Sequence, residues 1–90
     1  MSVFRAKIIG RVQGVGYRFF AEDVARRLNI NGYVKNLYDG SVEVYAEAEK
    51  EILEQFIEEL KRGPGLSRVD KVEVEWLNKK PEYQNFRIVF

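Results

Sequence analysis

The spacing of hydrophobic residues changes along the chain in a definite order, and this order constrains the fold more than any other feature. Near the start, Phe4, Ala6 and Ile8 alternate with charged residues, which is the period of a half-buried β-strand. Between residues 20 and 28 the apolar residues recur three and four apart, which predicts an amphipathic α-helix. This helical stripe consists of Phe20, Ala21, Val24, Ala25 and Leu28.

The rest of the sequence switches between the same two periods. Residues 33–46 predict a β-hairpin, and residues 49–62 predict a second amphipathic helix that "GPG" ends. Apolar and polar residues alternate again in residues 72–76 and 86–90, which predicts β-strand in both runs. The two runs are either two separate short strands or two parts of the last β unit. The order β-α-β-β-α-β predicts a single α+β domain over residues 1–90, a ferredoxin-like split βαβ sandwich. Two helices would pack on one face of an antiparallel sheet.

Missing residue types exclude several kinds of catalysis. The chain has no His, no Cys and no Thr. Histidine acid–base catalysis, cysteine nucleophiles and serine–histidine triads are therefore excluded. A metal site would have to be built from carboxylates and carbonyls alone.

The charge balance argues against a nucleic-acid partner. The chain has 15 Lys and Arg against 14 Asp and Glu, a net charge of +1. A nucleic-acid binder normally has a clear basic excess, and the third strand here, "SVEVYAE", is acidic. The first residues lack the pattern of a signal peptide, and no apolar run reaches the roughly 18 residues of a membrane span. We therefore expect a cytoplasmic protein with no membrane partner.

The stretch "GRVQGVGYRFF" (10–20) joins the first strand to the first helix and has two possible roles. Its glycines could simply form a turn, which is the commoner use of glycine in a loop. They could also turn several backbone N–H groups into one concavity that binds an anion. Arg18 favours the second role, because a cation in the first helical turn opposes the helix dipole unless an anion is bound. The stretch matches neither the dinucleotide-binding nor the P-loop motif.

Asn36, in "GYVKN" (32–36), shares one side of its strand with the apolar Val34. An amide on that side needs hydrogen-bond partners. It could bond the backbone at the end of the hairpin, or hold a water molecule through one donor and one acceptor. The strand pattern does not decide between these two roles. Tyr45 is predicted to face outward, where it is either ordinary sheet surface, which is the commoner case, or a platform for a ligand.

Together, these stretches resemble the acylphosphatase family. The paired motifs "GRVQGVGYRFF" and "GYVKNLYDGSVEV", followed by "GPGLSRVDKVEVEW" and "FRI", are similar to the family pattern from about Phe4 to Phe90. The family often has Phe where Tyr17 stands and Trp where Tyr33 stands. The resemblance implies hydrolysis of acyl phosphates to a carboxylate and inorganic phosphate, without a metal or other cofactor.

The resemblance also implies the site residues. Arg18 and Asn36 match the catalytic arginine and asparagine of the family. The substrate-binding loop matches Gln13, Gly14, Val15, Gly16, Tyr17 and Arg18. The implied partner is a small acyl phosphate, the implied product is inorganic phosphate, and we expect a monomer. The alternative is a non-catalytic module on the same fold that binds a small anion without turnover.

Overall fold

The computed structural model describes the whole chain, Met1–Phe90, and contains five strands and two helices. In order they are β1 (Ser2–Arg11), α1 (Tyr17–Arg27), β2 (Asn31–Asn36), β3 (Val42–Ala48), α2 (Lys50–Arg62), β4 (Arg68–Leu77) and β5 (Phe86–Val89). The order and type of the predicted elements are confirmed. After α2 the chain forms two separate strands, β4 and β5.

The strands form one sheet in the order β4-β1-β3-β2-β5. The pairs β1–β3, β1–β4 and β2–β3 are antiparallel as predicted, but β2–β5 is parallel, so the sheet is mixed. The parallel pair follows from strand direction. The end of β4 lies at the edge of the sheet where β2 begins, and residues 78–85 cross to β5 along that same edge. Strand β5 therefore has to run in the direction of β2.

Both helices pack on one face of the sheet, as predicted, and cover a single core. Alternation in β1 and β3 directs Phe4 and several small or branched side chains to this face, where the apolar stripes of the helices meet them. Helix α1 buries Tyr17, Ala21, Val24 and Ala25, and α2 buries Leu53, Phe56 and Leu60. Neither helix is long and apolar enough to cross a membrane.

The opposite face of the sheet is polar and is partly covered by the 78–85 segment. Tyr33 and Tyr45 stack on this face with ring centroids 5.4 Å apart, and Tyr83 packs against both. Tyr45 does point away from the helices, but this cover leaves it only 4% exposed. Burial, together with a hydrogen bond to Glu43, raises the pKa of Tyr33 above its ordinary value.

Candidate functional site

Strand direction brings the two predicted halves of the site together. Strands β1 and β2 are both antiparallel to β3, so they run the same way, and β5 runs parallel to β2. The C-terminal ends of these three strands therefore lie at one edge of the sheet. The glycine-rich stretch follows β1 at this edge, Asn36 ends β2, and Phe90 follows β5.

The stretch forms a loop whose backbone N–H groups are unpaired. Gly14 and Gly16 have φ angles of 73° and 79°, a left-handed conformation that residues with a Cβ adopt only at a cost. The N–H groups of residues 13–19 donate no hydrogen bond to the protein, whereas that of Phe20 bonds the Gly16 carbonyl. A run of free N–H groups on left-handed backbone is the arrangement that binds anions.

The N-terminus of α1 adds to the positive character of this loop. Gly16 is the N-cap residue and supplies no capping side chain, and the first turn contains no acidic residue. The first N–H groups of a helix have no partner within the helix and lie at its positive dipole end. An anion in the loop would therefore receive hydrogen bonds from both loop and helix.

A pocket of ≈150 Å³ lies where the loop faces the end of β2. Its walls are Val12, Gly14, Gly16, Tyr17, Arg18, Phe19 and Asn36. The structure thus places Arg18 and Asn36, distant in sequence, on one small pocket. No three His, Cys, Asp or Glu side chains in the chain are grouped so that they could hold a metal ion.

Arg18 is the charged residue of the pocket. It forms no ion pair with any acidic side chain, unlike the neighbouring Arg26 and Arg27 of the same helix. Its guanidinium carbon lies 4.9 Å from the centroid of the Phe90 ring, a cation–π contact that leaves the N–H donors available. A planar guanidinium with free donors is well suited to bind two oxygens of a phosphate.

Asn36 lies on the helix-facing side of β2, as predicted. Its Oδ1 is buried and accepts no hydrogen bond from the protein. Buried polar atoms are normally paired, so an unpaired amide oxygen on the wall of a pocket indicates a place for a ligand hydrogen. The alternative role, in which this oxygen bonds the backbone at the hairpin end, is not what the structure shows.

Three of the predicted loop residues use their side chains to hold the loop in place. Gln13 Nε2 donates to the carbonyl oxygens of Leu37 and Ser41, both at 2.8 Å, and so ties the loop to the β2–β3 hairpin. Val15 packs against the core. Neither Gln13 nor Val15 lies on the wall of the pocket, and their side chains support the loop instead.

The side chain of Tyr17 connects the start of α1 to the end of α2. Its side chain is 1% exposed, and its hydroxyl donates to the Leu60 carbonyl at 2.6 Å. Burial raises the pKa of this phenol above its ordinary value, so it remains a donor at neutral pH. This bond gives the buried hydroxyl a partner.

Three residues at the site were not predicted, Val12, Phe19 and Phe90, and Val12 is an apolar part of the pocket wall. Phe19 lines the pocket, and Phe90 supports Arg18. A signal for Phe19 was present in the sequence, because it is an apolar residue that falls outside the buried stripe of α1. No local signal pointed to Phe90, whose position depends on the path of the chain through β5.

The fold and the pocket together define an α+β sandwich with an anion-binding loop at one edge of its sheet. Comparison with known proteins narrows this class. Residues 4–88 match the family model described as acylphosphatase. The acylphosphatase of Thermus thermophilus is 58% identical over 71 residues, which is 79% of this chain and 81% of that protein.

A second relative and a solved structure indicate the same family. The acylphosphatase of Caldanaerobacter subterraneus subsp. tengcongensis is 49% identical over 82 residues, 91% of each chain. The crystal structure of acylphosphatase from Bacillus subtilis superposes with a TM-score of 0.97 over 100% of both chains, at 37% identity. The chain belongs to the acylphosphatase family. The predicted family, fold class and enzyme class are confirmed, and a non-catalytic module is not favoured.

Proposed function

We propose that this chain hydrolyses acyl phosphates, with the phosphate held by the 13–18 loop and Arg18 and the attacking water oriented by Asn36. The convergence of unpaired loop N–H groups, an unpaired arginine and an unpaired buried amide oxygen on one pocket supports this proposal most directly. These groups supply donors for the phosphate and an acceptor for the water.

In the proposed reaction, the water oxygen attacks phosphorus while the bond from phosphorus to the acyl oxygen breaks. The acyl group leaves as a carboxylate and takes the bonding electron pair with it. The conjugate acid of such a leaving group has a pKa of roughly 4–5, so it needs no general acid at neutral pH. This accounts for a site that lacks histidine.

The reaction then mainly requires that the negative charge on the phosphate oxygens is neutralised and that the water is positioned against phosphorus. The loop N–H groups and Arg18 would neutralise the equatorial phosphate oxygens. Asn36 would accept a hydrogen bond from the water and hold it in line behind phosphorus. An amide is not a useful base, so a substrate phosphate oxygen would take the proton that the water loses.

We also propose the oligomeric state, the location and the partners of this protein. The ninety residues would act as one domain and as a monomer in the cytoplasm, without metal or other cofactor. The partners would be the acyl phosphate and the inorganic phosphate product, with no nucleic acid and no membrane.

A hydrolysis assay with acetyl phosphate and a simple phosphate monoester, both with a chelator present, tests the function. We expect turnover of acetyl phosphate only, since the alcohol released by the ester is a poor leaving group without a general acid. Loss of activity with chelator would contradict the metal-independent reaction. Competitive binding of phosphate without turnover of any acyl phosphate would instead indicate the non-catalytic module.

A further inference from the structure

Three aromatic side chains near the site lack an aromatic neighbour. Phe19 is 69% exposed, and Tyr38 and Phe90 are almost fully exposed. Every other aromatic ring of the chain packs against at least one further ring. An exposed ring contributes little burial free energy to folding. The rings of Phe19 and Tyr38 are therefore available for contacts with a ligand, whereas that of Phe90 already packs against Arg18.

The three rings lie around two adjoining pockets. Phe19 lines the ≈150 Å³ pocket with the loop and Arg18. Tyr38 and Phe90 line a second pocket of ≈500 Å³ together with Lys35 and Leu37. Asn36 is the residue common to both pockets, whereas Phe19 lines only the first and Tyr38 only the second.

The geometry of in-line displacement selects one of these sides. The attacking and leaving oxygens lie on opposite sides of phosphorus. Asn36 holds the water in the proposed function, so the acyl oxygen points away from Asn36. Apart from Asn36, every residue of the pocket wall belongs to residues 12–16 or to the first turn of α1, which includes Phe19 and not Tyr38.

The charges of the pocket indicate which acyl groups fit there. Arg18 is the only charged residue on its wall, and it is occupied by the phosphate in the proposed function. No other charged side chain of the pocket is left to pair with a charged acyl group. The exposed face of Phe19 instead offers apolar contact, which an aromatic ring provides best.

We propose that Phe19 is a specificity-determining residue that contacts the acyl group and favours acyl phosphates with a ring-sized apolar acyl group. This inference rests on the proposed function, because it uses the in-line geometry that Asn36 and the loop define. Acetyl phosphate, with a single methyl group, would gain little from the Phe19 ring.

The ratio of kcat/KM for benzoyl phosphate to that for acetyl phosphate tests this proposal. In Phe19→Ala we expect the ratio to fall by about five- to tenfold, the scale of one aromatic contact, with acetyl phosphate turnover retained. Phe19→Tyr should keep the ratio, since it keeps the ring.

The matched control is Tyr38→Ala, which removes an exposed ring from the second pocket and should leave the ratio unchanged. Competitive inhibition by inorganic phosphate should be the same in all three variants.

Three other outcomes would each contradict a specific part of the proposal. An unchanged ratio in Phe19→Ala, with both substrates hydrolysed, overturns the role of Phe19 and leaves the proposed function intact. A lower ratio in Tyr38→Ala alone would place the acyl group on the opposite side and overturn the water-holding role of Asn36 as well. A parent protein that hydrolyses neither substrate overturns the proposed function and this inference together.

Discussion

Arg18 and Asn36 each stand where folding alone would disfavour them. Arg18 lies in the first turn of α1, where the dipole makes a cation unfavourable by about 0.3–1 kcal/mol. Asn36 keeps a buried oxygen without a partner, which costs about 1–3 kcal/mol. Binding of a phosphate and a water in the pocket would offset both costs, so the two features that weaken the fold would support the proposed reaction.

The two residues should differ in their effect on phosphate binding. Arg18→Ala should lower kcat by about 10²- to 10³-fold and also weaken competitive inhibition by phosphate, since it removes a charged phosphate donor. Asn36→Ala should lower kcat by about 10²-fold with phosphate inhibition largely kept. Steady-state kinetics with phosphate as inhibitor measure both, and Arg27→Ala, an exposed arginine of the same helix, is the control. If phosphate inhibition disappears in Asn36→Ala as well, Asn36 is not mainly a water-holding residue.

The β2–β3 hairpin is the element that connects the loop to Asn36. Gln13 donates to the carbonyl oxygens at its mouth, and the N–H of Leu37 bonds the Ser41 carbonyl across it. Asp39, in the turn, accepts from Lys7 at 2.7 Å and from the backbone N–H of Ser41 at 3.0 Å. The position of the loop therefore depends on the closure of this hairpin.

The stability of the hairpin should depend on pH through Asp39. Hydrogen bonds from Lys7 and then Ser41 hold the pKa of this carboxyl group below its ordinary value of roughly 4. The unfolded chain takes up the proton first as pH falls, so the stabilisation is complete above about pH 4 and is lost below it. We expect the difference in Tm between the parent and Asp39→Asn to be present at pH 7 and to shrink progressively as the pH falls below about 4. The difference should also shrink in a Lys7→Gln background, and a difference independent of pH would contradict this assignment.

At the scale of the whole molecule, one buried carboxyl group holds the C-terminal segment across the sheet. Glu47 in β3 is 0% exposed, and its two carboxyl oxygens accept from the backbone N–H groups of Glu82 and Tyr83 at 2.8 and 3.0 Å. The segment then enters β5 and ends at Phe90, which contacts Arg18. Glu47 lies at the edge of the sheet opposite the site but fixes the strand that reaches it.

Removal of this carboxyl group should destabilise the protein. Glu47→Ala leaves two N–H groups without their acceptors and creates a cavity, so we expect a loss of about 3 kcal/mol in the free energy of unfolding. Glu47→Gln, which keeps one acceptor, should lose less. Urea denaturation measures both, with the exposed Glu49→Gln as a control expected within about 0.5 kcal/mol of the parent. An equal and small loss in all three variants would show that Glu47 does not hold the segment.

The sequence by itself determined the local structure and the identity of the family. Alternating and helical periods of apolar residues predicted the elements because one face of each strand or helix packs on the core and the other faces water. Such a period can be read from neighbouring residues alone. The glycines of residues 10–16 predicted a turn between β1 and α1 for the same reason, since glycine allows the backbone to turn sharply. The motifs around Arg18 and Asn36 were sufficient to predict the acylphosphatase family.

Only the tertiary structure decided how distant residues meet. The parallel pairing of β5 depends on the edge from which the chain leaves β4, and the burial of Tyr45 and Glu47 depends on a segment more than thirty residues away. Phe90 reaches Arg18 because three strands end at one edge of the sheet. Hydrophobic period tells which face of an element is buried but not what covers the other face, since the cover comes from elsewhere in the chain.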